Sequence, residues 1–182
     1  SCYEAGITVT SLPGACACIT ALTMSGQPTR RFAFEAFLPY DKKERTQILE
    51  NLRNETRTII IYEAPHHLKK TLKECREYLG NRNMTVCKEL TKRYEQKRKS
   101  TLDEMIAYYE ENEPRGEYVL IFEGKSLQEL KEEKQQEWNQ LTVQEHMEHY
   151  LEKGMDKKSA MKQVAKDRGV SKRDIYQELL KK

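Results

Sequence analysis

Charged side chains follow two apolar stretches of the sequence, at the points where strands are expected to end. IIIYEAPHH contains Glu63 and His66, and VCKELTK contains Glu89 and Lys92. Ligands of open α/β sheets bind beyond the carboxyl ends of strands, where a carboxylate, an imidazole or a neutral amine can accept a proton from a substrate. We therefore take Glu89 and Lys92 first, then Glu63 and His66, as candidate catalytic residues. The structural alternative is that Pro65 starts a helix and that the glutamates cap it or pair with lysines.

A Pro-Gly turn separates a predicted strand from a predicted helix in the string SLPGACACITAL. At Pro13 and Gly14 the backbone can approach a ligand closely, and the start of the following helix favours hydrogen-bond acceptors. The small side chains of this helix also suit tight packing on a sheet, which is the structural alternative. The turn is not a GxGxxG phosphate loop.

The spacing of cysteines and histidines gives little support for a metal site. The five cysteines include no CxxC pair, and this odd set fits a reducing cytoplasm. His146 and His149 could share one face of a helix, but no third ligand is apparent, so we expect surface histidines and no metal. No apolar run approaches the roughly twenty residues that span a bilayer, so no membrane partner is expected.

The spacing of apolar residues predicts an α/β fold with one mixed sheet flanked by helices. Strands are predicted over residues 7–12, 31–37, 58–63, 84–90, 94–99 and 117–123. Helices are predicted over residues 16–24, 42–53, 66–79 and 102–111. The short polar break at 91–93 predicts a hairpin, which makes the sheet mixed and not purely parallel. Thr101 and Glu104 form a capping box before the fourth helix, and Gly80 closes the third.

A change of composition after Gly124 divides the chain into three parts. Residues 1–124 form the sheet domain, and residues 141–182 form a small helical module. Residues 125–140 are polar all round and are interpreted as a linker with some helical character.

The helical module contains a pattern typical of a helix-turn-helix. Helices are predicted over residues 143–152, 157–167 and 172–180. Between the last two, Gly169 marks a turn, Val170 an apolar plug and Ser171 an N-cap. The apolar residues placed on the facing sides of these helices are Ala160, Val164, Ala165, Val170 and Ile175.

Five strings of the sequence occur in the order and spacing of one family. They are LPGACACITAL, SGQPTRRFAFEAFLP, RTIIIYEAPHHL, VCKELTK and GEYVLIFEG. The chain resembles the second half of the bacterial ribosomal RNA small subunit methyltransferase I family, within the tetrapyrrole methylase-like superfamily. The resemblance implies the second domain of that fold, S-adenosyl-L-methionine as cofactor, and 2′-O-methylation of a cytidine in 16S ribosomal RNA on the small ribosomal subunit.

Two other functions stay open alongside this resemblance. Cobalamin-pathway C-methyltransferases share the fold and the Pro-Gly turn but typically lack the YEAPH and KELTK strings. A non-catalytic nucleic-acid-binding module is the third hypothesis, and the charged strand ends argue against it. A homodimer is an assembly that the sequence leaves open.

The resemblance also implies which residues contact the cofactor, in a cleft between two domains. The matching positions here are Pro13, Gly14, Cys16, Ala17, Tyr62, Glu63, Leu90, Gly116 and Glu117. The turn reads PGAC where many members have PGPS, which puts a serine hydroxyl contact in doubt and leaves the backbone role intact. The family's glycine-rich cofactor loop has no counterpart in this sequence, so we expect a fragment that is inactive alone.

The end of the sequence is its basic part. Residues 153–182 contain ten Lys and Arg against four Asp and Glu, a net of +6 against +3 for the whole chain. Ribosomal RNA would be bound through its phosphates, and the structural alternative is a solvated helical surface. The predicted RNA-binding residues are Lys157, Lys158, Lys162, Lys166, Lys172 and Arg173.

Overall fold

The computed structural model describes residues 1–180, which divide into two compact units. The first unit is Ser1–Lys125, and the second begins at Ser126. No helix within the described residues is long and apolar enough to cross a membrane.

The first unit is built on a five-stranded sheet. Its strands are β1 (Phe32–Phe37), β2 (Thr58–Glu63), β3 (Asn83–Lys88), β4 (Gln96–Thr101) and β5 (Tyr118–Phe122), in the order β1-β2-β5-β3-β4. β1 is parallel to β2, β5 is antiparallel to both β2 and β3, and β3 and β4 form the predicted hairpin. The mixed sheet is therefore confirmed. The carboxyl ends of β2 and β3 lie next to the start of β5, at one end of the strands.

Four helices cover the two faces of this sheet. They are α1 (Ala17–Ser25), α2 (Lys42–Leu52), α3 (Pro65–Leu79) and α4 (Leu102–Glu111). Side chains alternate along a strand, so Ile60 and Ile121 pack with α1, whereas Ile59 and Leu120 pack with α2, α3 and α4. All four of these side chains are fully buried. The predicted capping box at the start of α4 is present in full.

The strand predicted over residues 7–12 is absent. Ile7, Val9 and Leu12 are 58%, 51% and 90% exposed, and no strand pairs with this segment among residues 1–180. Alternating β-branched residues favour extended backbone, but a strand also needs a neighbour to bond to and a face to bury. This segment has neither in the described chain.

The described part of the second unit, up to residue 180, consists of four helices. They are α5 (Leu127–Gln140), α6 (Val143–Glu152), α7 (Lys157–Arg168) and α8 (Lys172–Leu180). The stretch predicted as a linker is therefore mostly helix α5, which starts at a capping box formed by Ser126 and Glu129. This helix packs on α7, and Gln135 Nε2 donates a hydrogen bond to the Arg168 carbonyl oxygen at 2.5 Å. Because these contacts are tertiary, the polar sequence of α5 does not reveal them.

The turn between α7 and α8 follows the prediction except at one residue. Gly169 has a φ of +67°, and the Ser171 side chain accepts a hydrogen bond from the Asp174 backbone. Ile175 is buried between the helices, as predicted. Val170 is 44% exposed, so its predicted role as an apolar plug is wrong: the chain reverses so tightly at Gly169 that the next side chain points to solvent.

Candidate functional site

A cluster of charged groups lies where β3 ends and β5 begins. Lys92 Nζ is 3.1 Å from Glu89 Oε1 and 2.8 Å from Glu117 Oε2. The backbone N–H of Glu117 donates to Glu89 Oε1 at 2.8 Å, and the Glu89 N–H donates to the Glu117 carbonyl oxygen at 2.9 Å. The structure thus brings together three of the residues that the sequence places in the site.

The backbone of this cluster is held in an uncommon conformation. Glu89 and Thr91 have φ angles of 50° and 61°, although neither is glycine. Gly116 has a φ of 83°, and a Cβ added there would lie 2.6 Å from Glu89 Cγ. Strained residues persist only where surrounding contacts over-determine them, and they concentrate at functional sites. Glycine at 116 is thus what lets the Glu89 side chain lie against the β5 end.

The charges of the cluster are mutually stabilising. The hydrogen bond from the Glu117 backbone, and then that from Lys92, lower the pKa of the Glu89 carboxyl. The bonds to Glu117 and Glu89 raise the pKa of the Lys92 ammonium above its already high ordinary value. Lys92 is therefore a cation at neutral pH and is not the neutral amine that a general base requires. Glu89 is the anionic acceptor of the pair.

Tyr62, near the carboxyl end of β2, anchors helix α1 to the same end of the strands. The Cys18 backbone N–H donates to the Tyr62 hydroxyl oxygen at 2.9 Å. Cys16 is the N-cap of α1, and its sulfur lies 3.4 Å from Cys18 Sγ. Gly14, Cys16 and Ala17 are exposed. The start of α1 is thus exposed, and a helix N-terminus suits a ligand with acceptor groups.

Leu90 belongs to the same side of the site. It packs, partly buried, against the cluster formed by α1 and by side chains of β2, β3 and β5. Through Leu90, the residues after β3 share one apolar cluster with Tyr62.

Two phenylalanines that were not predicted as site residues lie beside Tyr62. The rings of Phe34 and Phe37 lie 4.9 Å and 5.6 Å from the Tyr62 ring, and both are edge-on to it. Residues three apart on a regular strand point to opposite faces, but β1 has a bulge between Phe34 and Ala36, where Ala36 has a φ of 51°. The bulge turns both rings to the side of Tyr62. Phe34 and Phe37 remain 44% and 61% exposed and form an aromatic surface there.

Glu63 lies on the opposite face of the sheet from Tyr62. Its carboxylate accepts hydrogen bonds from the Ala64 backbone at 2.8 Å and from the Thr71 hydroxyl at 2.5 Å. Arg45 donates in turn to Thr71 and Glu74. Glu63 therefore makes the contacts expected of the structural alternative, because it joins the start of α3 to the strand before it.

His66 is exposed at the start of α3, with its ring 4.2 Å from that of His67. His67 and Glu63 border a cleft of about 360 Å³ at the start of α3, which His66 does not line. The other lining residues are Phe37, Leu38, Pro39, Tyr40, Arg45, Ala64 and Lys70.

His146 was predicted to lie at the surface but is fully buried in the second unit. Its ring stacks on Trp138 with 3.9 Å between centroids, and its Nδ1 accepts from Arg168 Nε at 3.1 Å. Within residues 1–180, no three His, Cys, Asp or Glu side chains are grouped to hold a metal ion.

All six predicted RNA-binding residues are exposed. Lys158, Lys162 and Lys166 recur every four residues on α7 and therefore share one face of that helix. Lys172 and Arg173 form the first turn of α8.

The mixed five-stranded sheet with helices on both of its faces defines the first unit as an α/β domain. The structure resembles the "Crystal structure of the methyltransferase CobJ" with a TM-score of 0.52 over 67% of this chain and 53% of that chain. The two sequences are 16% identical, so the likeness shows the fold alone. The family model of Tetrapyrrole (Corrin/Porphyrin) Methylases matches residues 2–106, and the chain belongs to that family.

Two curated relatives that share one name show which branch of this family the chain is similar to. The chain is 46% identical over 176 residues to Ribosomal RNA small subunit methyltransferase I of Halalkalibacterium halodurans, which covers 97% of this chain and 60% of the relative. The Bacillus subtilis protein of the same name is 46% identical over 168 residues, covering 92% of this chain and 57% of the relative. The chain is thus a homologue of these proteins and spans about 60% of their length.

Proposed function

We propose that this chain is part of an S-adenosyl-L-methionine-dependent methyltransferase that modifies the 2′-hydroxyl of a cytidine in 16S ribosomal RNA. The observation that carries the proposal is the match to ribosomal RNA methyltransferases along 97% of the chain. The cluster of Glu89, Lys92 and Glu117 at the strand ends supports it, because this is where ligands of α/β sheets bind. Small-molecule methylation, the activity of a tetrapyrrole methylase, is the second candidate.

The residues on the α1 side of the sheet fit the cofactor. The exposed start of α1 suits a carboxylate or ribose hydroxyls, and Phe34, Phe37 and Tyr62 offer aromatic surface to an adenine. S-adenosyl-L-methionine supplies an activated methyl group when bound. We assign to this chain's share of the cofactor site the residues Pro13, Gly14, Cys16, Ala17, Tyr62, Leu90, Gly116 and Glu117.

In this proposal Glu89 and Lys92 have different roles. Glu89, an anion held by the Glu117 backbone, is the proton acceptor for the ribose hydroxyl. Lys92 stays protonated and positions both carboxylates. Glu63 has a structural role at the start of α3, and His66 is the remaining candidate for a contact with substrate.

RNA affinity is assigned in part to the basic face of the second unit. Lys158, Lys162 and Lys166 are exposed along α7, with Lys172 and Arg173 at the start of α8. Phosphate contacts give a salt-dependent affinity, so charge reversal at these positions would weaken binding to small ribosomal subunits and flatten its salt dependence. Unchanged binding at every salt concentration would leave the second unit without this role.

The activity is tested by mapping ribose methylation in ribosomal RNA of cells that lack the full-length gene. The deletion is expected to remove one 2′-O-methylcytidine, and the full-length gene to restore it. Glu89→Gln or Lys92→Met in that gene is expected to lower methylation about 100-fold. The matched controls are Glu50→Gln and Lys43→Met, two exposed positions on α2. An unchanged ribosomal RNA in the deletion strain would contradict the proposal and favour the small-molecule candidate.

A further inference from the structure

The β3–β4 hairpin carries positive charge beyond the candidate site. Residues 88–99 contain six Lys or Arg and two Glu, a net of +4 against +3 for the whole chain. Lys92 is neutralised by Glu89 and Glu117, and Glu95 accepts from a backbone N–H of the turn. Within residues 1–180 the other cations of the hairpin form no ion pair. They are Lys88, Arg93, Lys97, Arg98 and Lys99.

These cations lie on an open edge of the sheet. β4 pairs with β3 and has no strand on its other side among the described residues. Lys97, Arg98 and Lys99 are exposed, with the two lysines on the α1 face and Arg98 on the other. Alternate residues of a strand are about 6.6 Å apart, a spacing similar to that of neighbouring phosphates in an extended RNA strand.

Aromatic rings accompany the charges. The Arg98 guanidinium lies 3.7 Å from the centroid of the Tyr108 ring, and this stacking orients it without a carboxylate. Tyr94, in the turn of the hairpin, is 66% exposed beside Arg93. A polar cleft of about 380 Å³ lies along the α4 face of the hairpin, lined by Val86, Lys88, Gln96, Lys97, Arg98, Tyr108 and Tyr109.

We propose that the β3–β4 hairpin is a second RNA-binding surface, which holds the sugar-phosphate backbone of single-stranded RNA next to the nucleotide at the candidate site. The inference rests on the proposed function. Basic side chains with an exposed aromatic ring are the combination that binds single strands, through phosphate contacts and base stacking. The loop that carries Glu89 and Lys92 joins the two strands of this hairpin, so RNA that reaches those residues also passes the cations of β4.

Lysines on an edge strand have a second use, which is to prevent edge-to-edge pairing between copies of a protein. That use needs neither a stacked arginine nor an exposed tyrosine. It also makes a different prediction, because neutralising the edge would then change self-association and leave RNA binding intact.

The experiment titrates the chain against a short fluorescent single-stranded RNA at a series of KCl concentrations. The hairpin variant is Lys97→Gln with Arg98→Gln and Lys99→Gln. The matched control is Lys42→Gln with Lys43→Gln and Arg53→Gln, which removes the same charge from exposed positions of α2 and the residue after it. We expect the hairpin variant to bind about tenfold more weakly and the slope of log affinity against log salt to fall by about 2, since each single-strand phosphate contact contributes about 0.7. The control is expected to bind nearly as the parent does.

A footprint on the unsubstituted chain provides a readout that does not depend on the folding of a variant. The RNA is expected to protect Lys97 and Lys99 from acetylation and to leave Lys42 and Lys43 reactive. Equal affinity and slope for the hairpin variant and its control, or no protection, would overturn the hairpin assignment and leave the proposed function standing. A change in self-association by sedimentation with RNA affinity unchanged would also overturn it. If the parent chain shows no salt-dependent binding at all, both the hairpin assignment and the RNA part of the proposed function fail.

Discussion

Gly116 sets the geometry of the charged cluster, and its replacement is a direct test of that geometry. It combines a φ of 83° with a direction in which a Cβ would meet Glu89 at 2.6 Å. We expect Gly116→Ala to destabilise the first unit by about 1 to 3 kcal/mol, because an L side chain is strained at this φ and Glu89 must also move. Thermal and urea unfolding followed by circular dichroism would measure the loss.

Gly14→Ala is the matched control for this substitution. A Cβ at Gly14 meets nothing within 4 Å, and the residue does not have a positive φ. Its stability is expected to stay within about 0.5 kcal/mol of the parent. Equal stability of the two variants would show that the close approach of Gly116 to Glu89 does not exist in solution.

Cys16 is expected to be alkylated more readily than the buried Cys75 and Cys87. Hydrogen bonds from the Ile19 backbone, and then from Cys18, lower the pKa of its exposed thiol. Burial raises the pKa of Cys75 to about 12 and that of Cys87 to about 11. Thiolate is the reactive form, so at neutral pH iodoacetamide should label Cys16 well before these two.

Peptide mapping by mass spectrometry at several pH values would follow each thiol separately. Labelling of Cys16 should rise at a lower pH than labelling of an unfolded peptide that contains it. Denaturation should abolish the difference between Cys16, Cys75 and Cys87. Equal rates in the folded chain would mean that the first turn of α1 does not donate to the Cys16 sulfur.

Tyr62 and Glu63, adjacent in β2, show which features of the site can be predicted from the sequence. Tyr62 and Glu63 both follow an apolar run, but alternation along β2 sends them to opposite faces, where one anchors α1 and the other α3. That separation is predictable from the period of a strand. The position of Phe34 and Phe37 beside Tyr62 could not be predicted, because it depends on a bulge at Ala36 that the residue types do not indicate.

At the scale of elements, local signals determined most of the helices and strands. The predicted strand at 58–63 and helix at 102–111 agree with the structure at both ends. In the second case the Thr101 and Glu104 side chains close the capping box that the sequence indicated. Such ends depend on side chains a few residues apart, so they can be read without knowledge of the fold.

Elements held by distant contacts were predicted poorly. α5 has no buried residue, and its polar sequence resembles a linker, yet Gln135 and Trp138 join it to α7 and α6. The segment 7–12 shows the converse, because its apolar residues suggest a strand that finds no partner in the described chain. In both cases tertiary context overrides local pattern.

Burial of His146 predicts that the second unit loses stability in mild acid. Removal from water, and then the nearby Arg168 charge, lower the pKa of His146 below its ordinary value near 6.5, with Asp167 opposing and His149 adding to the shift. The unfolded chain therefore binds a proton at a higher pH than the folded chain does. The stability is fully present above pH 6.5 and is lost as the pH falls toward the folded pKa.

His146→Asn separates this effect from the titration of carboxylates. Asn does not titrate, and its side-chain oxygen can replace Nδ1 as the acceptor for Arg168. Trp138 fluorescence would report unfolding of the second unit between pH 7.5 and 5.5. We expect the midpoint of the unfolding transition of the parent to fall as the pH is lowered from 7.5 to 5.5. The midpoint of the His146→Asn variant should stay nearly constant. A parallel fall in both proteins would assign the acid sensitivity to other groups.

For the molecule as a whole, the modest net charge conceals an uneven distribution along the sequence. The hairpin residues 88–99 carry +4 and residues 153–182 carry +6, so the remaining 140 residues carry −7. Because the positive charge is concentrated in two segments of an otherwise acidic chain, electrostatic attraction to RNA is expected to steer these segments toward the phosphates. Binding to the ribosomal subunit should accordingly depend on salt more steeply than a net charge of +3 suggests.

The length of the chain relative to its homologues leads to a prediction about the cofactor. The chain spans 57% of the Bacillus subtilis relative, and we propose that such relatives divide their cofactor contacts between the matched region and the rest of their length. A ligand that loses about half of its contacts still incurs most of the entropic cost of immobilisation. This chain should therefore bind S-adenosyl-L-methionine at least about a hundredfold more weakly than the relative, or not measurably.

Calorimetric titration of the two proteins side by side would measure this difference. Water that reaches a half-open site also weakens the polar contacts available from Glu117 and the first turn of α1, which acts in the same direction. Tyr62→Ala in the chain serves as the internal control, because any residual binding at the α1 side should disappear with the ring and hydroxyl that hold α1 in place. If the chain and the relative bind with comparable affinity, the cofactor contacts lie within this chain and are not shared with the rest of the longer protein.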